Sequence, residues 1–304
     1  MHPIERLRYL ARAGTLPPQI LVQEAAGALA SFADEPQGFL TACQRVLARQ
    51  PGSAPLVWLA ARAVTALDPY DELWIAAEEM SSDPTARLLS DELPESATAV
   101  VVGSCVADSL LGLALTRRGD VQVWPLDDGE SDAASRASGR RGGAKPLRTA
   151  WWEDEGPTRW DDDRGKPTSR VSGLSLGAAV SSATLVLVEA SAIGPDLALV
   201  PRGGLTAAAC ANALGTPVWL VGGVARHLGP RNWAGLAAPF MHLDNENKEL
   251  ASRSTGAPPE GTHDLLPLSL VTGVAGPSGL LPSDRAAAGS ACPECPELFR
   301  GVVM

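Results

Sequence analysis

Residues Thr184–Leu220, TLVLVEASAIGPDLALVPRGGLTAAACANALGTPVWL, decide how the whole chain is read. Thr184 to Val188 is a short apolar run, β-branched enough to be a strand covered on both faces. Glu189, Ala190 and Ser191 stand where such a strand ends, and Gly194 and Pro195 break the chain after them. Gly203 and Gly204 precede Leu205–Leu214, an Ala-rich segment of high helix propensity. Gly215 closes that helix, and Pro217 to Val221 reads as the next buried strand. Strand, loop, helix and strand form a βαβ unit, and open α/β sheets take their ligands at the carboxyl ends of the strands. The segment from Glu189 to Gly204 is therefore expected to be a loop that carries the chemistry.

Outward from this unit, Ala97–Val102 is a second buried strand ending at Gly103-Ser104-Cys105. A helix from about Val106 to Arg117 and a strand from Asp120 to Trp124 complete the first βα unit of a Rossmann-like sheet. Upstream, Ile4, Leu7, Leu10 and Ala11 share one helical face, as do Ile20, Ala25, Ala28 and Leu29. Ser53 is placed to cap a helix whose first turn holds Pro55. No strand-like alternation interrupts this region, so residues 1–94 are expected to form a helical domain and 95–304 a Rossmann-like one. Residues 126–168 are rich in Gly, Ser, Asp and Arg, broken by Trp151, Trp152 and Trp160, and read as a flexible insertion. Beyond Val221, Gly222–Gly229 is another strand-end loop. Trp233–Ala238 is expected to be a short helix stopped by Pro239, with a polar excursion from Asp244 to Glu260. The fold class is thus α/β, a helical N-terminal domain followed by a mainly parallel sheet.

The chain has 304 residues, 45% of them apolar, and a formal charge of −10. That balance argues against direct nucleic-acid binding through phosphate contacts. No apolar run reaches the roughly 18–20 residues that span a bilayer, and the first residues lack a signal-peptide core, so the expected location is the cytoplasm. Five cysteines, odd in number and scattered, fit reduced thiols. Cys292-Pro293-Glu294-Cys295 is a lone pair without the second pair a zinc ribbon needs, and is expected to be an exposed tail with incidental thiols. No phosphate-binding Walker loop, dinucleotide fingerprint or metalloprotease motif occurs, and neither cofactor nor metal is expected.

The segments Glu189-Ala190-Ser191, Pro201-Arg202-Gly203-Gly204-Leu205 and Pro217-Val218-Trp219 also carry a resemblance. Their order and spacing resemble the signature region of the family that joins the alpha, beta and delta subunits of translation initiation factor 2B with two sugar-phosphate isomerases. Those isomerases act on methylthioribose-1-phosphate and ribose-1,5-bisphosphate. The resemblance implies a site that binds a phosphorylated sugar or nucleotide, and a homodimer through the C-terminal domain. Cys105 falls at the isomerases' catalytic cysteine, and Ser191 falls where they keep an aspartate. Arg202 matches the lysine of the family's Asn-Lys-Ile-Gly turn. The helical domain has Gln50-Pro51 where the family has Arg-Pro.

These letters define the candidate site: Cys105, Ser191 and Asp196 for catalysis, with Gly103, Ser104, Glu189, Arg202, Gly203 and Gly204 around the ligand. A thiol before a helix N-terminus is favoured as thiolate, although a buried thiol in a tight turn is the ordinary alternative. Arg202 can hold a phosphate through paired hydrogen bonds, and amides after Gly203 and Gly204 can approach an anion. A serine hydroxyl cannot shuttle protons near neutral pH, so a carboxylate from Glu189, Asp196 or Asp108 would have to stand in. Two functions follow: a binding protein with degenerate isomerase machinery, or an active aldose–ketose isomerase using Cys105 and a relocated carboxylate.

Overall fold

The structure, a computed structural model, describes residues 17–104, 109–126, 171–251, 263–286 and 291–300, with the backbone alone for 242–251. Cys105, Asp108, the three tryptophans at 151, 152 and 160, and nearly all of the expected insertion lie outside the described residues.

The described chain opens with five helices: α1 (Pro18–Leu29), α2 (Pro36–Arg49), α3 (Ala54–Thr65), α4 (Pro69–Ser81) and α5 (Thr85–Glu92). Prolines stand in the first turn of α1 to α4, where the missing amide has no intrahelical partner to lose. Asp68 caps α4 by accepting from the Asp71 amide at 3.1 Å. Ser53 holds the corresponding position before α3, but its side chain makes no cap. Helices α1 to α4 close on a core that includes Val22, Leu29, Phe39, Cys43, Leu56, Leu59, Leu73 and Met80. Helix α5 leaves them: Ala86 and Leu89 pack with the strands instead.

The remaining elements are β1 (Thr98–Val102), α6 (Leu110–Arg117), β2 (Gln122–Pro125), α7 (Leu176–Ser182), β3 (Leu185–Glu189), β4 (Ala192–Ile193), β5 (Leu197–Pro201), α8 (Gly204–Leu214), β6 (Val218–Val221), α9 (Pro230–Ala251), β7 (His263–Pro267), β8 (Gly273–Gly276), β9 (Gly279–Pro282) and the single turn α10 (Ser283–Ala286). The main sheet runs β2-β1-β3-β6-β8-β9, parallel except for β9. Successive side chains point to opposite faces. Val100, Val102, Val186, Val188, Val218 and Leu220 face a layer built by α7 and α8. Ala99, Val101, Leu185, Leu187 and Val221 face α5 and α6. Burial on both faces explains why these strands read as unbroken apolar runs rather than alternating ones.

Three expectations need correction. Glu189–Gly204 is not a loop: β4 and β5 form a hairpin through Gly194-Pro195-Asp196, and β5 pairs with β7 in a second, antiparallel sheet. Leu197-Ala198-Leu199-Val200 is apolar enough to be a strand, and the turn residues that break the chain are those that fold a hairpin.

Pro239 does not stop α9, which continues to Ala251. A proline inside a helix costs about 3 kcal/mol. Burial of Trp233 and Leu236 before it, with Phe240 packed beyond it, offsets this at about 1.5–3 kcal/mol for each fully buried side chain.

The C-terminal cysteines are buried rather than exposed. Their segment is held by Asn232, whose Nδ2 donates to the Pro293 carbonyl at 2.8 Å and whose Oδ1 accepts from the Cys295 amide at 3.0 Å. Gln44 of α2 donates to the carbonyls of Glu297 and Arg300, tying the segment to the helical core. Among the described residues no helix is long and apolar enough to cross a membrane.

Candidate functional site

Strand order locates the site. From β1 the chain moves to one neighbour, β2, and then returns to the other side of β1 as β3. Helices α6 and α7 of the two connections cover opposite faces of the sheet, which makes the carboxyl ends of β1 and β3 the usual ligand position in such sheets. The residues at these ends are Gly103-Ser104 and Glu189. Gly103 has φ +135°, and a Cβ there would stand 2.6 Å from the Glu189 Cβ. The glycine thus lets the glutamate lie across the end of β1, where its Oε2 accepts from the Ser104 amide at 2.9 Å.

The second charged group comes from the loop after β6. Arg226 is 6% exposed. Its Nη1 donates to the Ser191 carbonyl at 3.1 Å, and its Nη2 is 3.9 Å from Glu189 Oε1. Among the described residues the Nε–H finds no acceptor. Burial pulls this guanidinium below its usual range, while the carboxylates of Glu189 and Asp83 oppose that shift.

Asp83, between α4 and α5, braces the same loop by accepting from the Val224 amide at 2.8 Å and the Thr85 amide at 2.9 Å. A side chain at Gly223 would collide with Asp83, so the glycine is required by this approach. Ala225, next to Arg226, has φ +67°, a left-handed conformation that a non-glycine residue adopts at a cost. The loop is further held to β4, with the Ile193 amide donating to the Arg226 carbonyl and the Leu228 amide to the Ile193 carbonyl. His227 follows in this loop, and burial lowers its pKa.

The anion position expected at Gly203 and Gly204 is built differently. Gly203, at φ +88°, precedes α8, and its amide and that of Leu205 donate to one oxygen of Asp264 at 2.8 and 3.2 Å. The chain's own carboxylate therefore takes the amides that were expected to face a phosphate. Gly204 is fixed by packing, since a Cβ there would lie 2.6 Å from Val200 and 3.3 Å from Val188. Helix α8 thus starts over the sheet face that carries Val188, whereas Glu189 turns to the other. Arg202 is exposed in the turn between them.

The fold brings Gly103, Ser104, Glu189 and the Ser191 carbonyl together with Arg226 and Asp83. It does not bring Asp196 to them. Asp196 is exposed at the tip of the β4–β5 hairpin, its carbonyl accepting from the Leu268 amide at 2.9 Å. Ser191 bonds instead to Leu199, three residues or about 10 Å further along β5. Cys105 lies outside the described residues. Sequence reasoning missed Arg226, Asp83 and Asp264. Only Arg226 had a usable signal, as the cation following Gly222-Gly223 at the end of a buried strand.

No protein-family model matches the chain, and no curated protein matches it. Solved structures do. Translation initiation factor eIF-2B from Pyrococcus horikoshii OT3 superposes with a TM-score of 0.61 at 13% identity, covering 94% of this chain and 98% of that one. The eIF2B beta subunit of Chaetomium thermophilum matches with a TM-score of 0.61 at 13% identity, over 94% of this chain and 89% of that one. 5-Methylthioribose 1-phosphate isomerase from Pyrococcus horikoshii OT3 matches with a TM-score of 0.54 at 13% identity, over 93% and 85%. The chain shares the fold of these proteins over nearly its whole length.

Proposed function

We propose that this chain is a binding protein of the initiation factor 2B and sugar-phosphate isomerase lineage, taking a phosphorylated sugar or nucleotide at the β1–β3 crevice without turning it over. The observation that carries the reading is Arg226. A buried guanidinium with a donor that no group among the described residues accepts costs roughly 1–3 kcal/mol, and a ligand oxygen would relieve that cost. In a chain of charge −10, a local cation is also what an anion requires. A phosphate oxygen is repelled by Glu189, so the anion belongs at the Nε side of Arg226. Glu189 is suited to accept from sugar hydroxyls. The lost aspartate at Ser191 and the exposure of Arg202 favour binding over catalysis.

The second reading, isomerisation of a pentose phosphate, is favoured by one contact. Glu189 bonds the amide of Ser104, the residue before Cys105. In that reaction a base removes the C2 proton of the open-chain aldose while an acid protonates the C1 carbonyl oxygen to give the enediol; a proton then returns to the C1 carbon as the C2 hydroxyl proton leaves and the ketone forms. Glu189 would be the relocated carboxylate and Cys105 its partner.

The protein is proposed to be cytoplasmic and to form a homodimer through the sheet domain. Assembly is supported by the tetrameric eIF2B beta–delta complex of Chaetomium thermophilum, which matches with a TM-score of 0.60 at 16% identity, over 94% of this chain. Calorimetric titration with ribose 5-phosphate and with adenosine monophosphate tests the binding reading. Affinity is expected to drop at least tenfold in Arg226→Lys, a change that keeps the charge and removes Nε. Absence of heat with either ligand, or unchanged affinity in the variant, refutes it. Solvent exchange at C2 of the bound sugar, read by NMR and lost in both Cys105→Ala and Glu189→Gln, would instead establish turnover.

A further inference from the structure

Helix α4 carries an exposed apolar strip that the β1–β3 site does not use. Leu67, Tyr70, Trp74 and Ile75 are all exposed, Leu67 fully and Ile75 by 55%. Tyr70 and Trp74 follow the four-residue spacing that aligns side chains along one side of a helix, and Leu67 stands just before the Asp68 cap. Tyr70 and Trp74 meet edge to face at 6.5 Å. Together the four residues place large apolar side chains on the surface close in sequence, the kind of contiguous patch that often marks an interaction site. Tyrosine and tryptophan are the residues on which binding energy concentrates.

The charges around the strip have one sign. Helix α4 contains Asp71, Glu72, Glu78 and Glu79 and no lysine or arginine, and Asp68 caps it. Arg62 of α3 reaches across to Glu72 at 2.5 Å and to Glu79, while stacking 4.5 Å over Trp58. Among the described residues no cation pairs with Asp71 or Glu78. These two share a face with Ile75, at the four- and three-residue spacings on either side of it.

We infer that the outer face of α4 is a docking surface for a cationic amphipathic helix of a partner protein. Its apolar side covers Leu67, Tyr70, Trp74 and Ile75, and its lysines or arginines reach Asp71 and Glu78. Charge selects this occupant. A second copy would set acidic rim against acidic rim, whereas a basic helix meets both the strip and its border. From Tyr70 to Glu78 the helix face extends about 12 Å, so roughly two turns of helix cover it.

The probe is a synthetic amphipathic peptide of leucine and lysine, about four helical turns long, titrated into the full chain and followed by hydrogen–deuterium exchange. Expected results are protection of amides in residues 67–81, and affinity that falls with salt. Affinity should also weaken at least tenfold in Trp74→Ala and separately in the double variant Asp71→Asn, Glu78→Gln. The carboxamide variant changes no packing, so it tests the inference even if Trp74→Ala misfolds. Protection confined to other residues, or unchanged affinity in the carboxamide variant, overturns the inference. So does sedimentation showing a dimer that Trp74→Ala dissociates, since the occupant is then a second copy. Binding that appears only after residues 1–16 are deleted overturns it as well, since the chain then covers the strip itself.

Discussion

Removing Asp264 should both destabilise the protein and create the phosphate site that the sequence led us to expect. The carboxylate of this β7 residue reaches the start of α8 from 61 positions away, where one oxygen accepts from the Gly203 amide at 2.8 Å and the Leu205 amide at 3.2 Å. Gly203 has no side chain to cap the helix, and the first turn of α8 holds no acid. Loss of a cap costs about 1 kcal/mol. Loss of the negative charge at the helix N-terminus adds about 0.3–1 kcal/mol. Asp264→Ala should therefore lower stability by about 1.3–2 kcal/mol, or about 2–3 °C in melting temperature for a chain of 304 residues.

Asp264→Asn keeps an acceptor and loses the charge, so its melting temperature should fall between parent and alanine variant. The freed amides at the end of α8 then become available to an anion. With a Kd of about 5 mM, inorganic phosphate at about 50 mM would return about 1.4 kcal/mol to the alanine variant and nothing to the parent. Circular-dichroism melts with and without phosphate, at constant ionic strength, read both effects. An alanine variant melting within about 1 °C of the parent would show that Asp264 does not cap α8. A destabilised variant that phosphate fails to rescue would show that the helix end alone does not make an anion site.

Three other outcomes follow from the same coordinates. Gly103→Ala should cost about 2–4 kcal/mol, because φ +135° is unfavourable for alanine and the new Cβ meets Glu189; urea unfolding that shows less than about 0.5 kcal/mol refutes the account of how Glu189 crosses β1. Burial pushes the Cys43 and Cys292 thiols up to about 12, so iodoacetamide at pH 8 should label neither in the folded protein and both in urea, with mass spectrometry assigning the sites. The Arg118 guanidinium and the Ser96 amide hold Asp120 well below the usual carboxylate range. The stabilisation is present above the ordinary carboxylate value and is lost as pH falls through the depressed one, so the small deficit of Asp120→Asn in urea midpoint should shrink as pH drops below about 4. A deficit that grows in acid contradicts the sign.

Legibility varied with the range of the cause. The strands at Leu185–Glu189 and Val218–Val221, and helix α8, were readable because burial on both faces and an Ala-rich run between glycines act within a few residues. The β4–β5 hairpin reads as a loop in the sequence because β5 is stabilised by pairing with β7, more than 60 residues later. Pro239 misled because its local penalty is smaller than the burial gained around Trp233 and Phe240. The C-terminal cysteines misled for a related reason. Their burial depends on Asn232 and on α2, which no local pattern at Cys292-Pro293-Glu294-Cys295 announces. Of the candidate ligand residues, Gly103, Ser104 and Glu189 were found at strand ends by rule. Arg226 and Asp83 converge on them only in three dimensions.

The order of apolar runs, glycines and prolines was enough to specify a helical segment followed by a parallel, doubly covered sheet, since each strand's burial is written in its own few residues. It also put Gly103, Ser104 and Glu189 at the ends of β1 and β3. Which charges meet there was left to packing. Asp264 closes the end of α8, and Asp83 holds the loop that buries Arg226 beside Glu189, through contacts spanning 61 and 141 positions. Electrostatic pairing depends on distance in space, and separation along the chain carries almost no information about that.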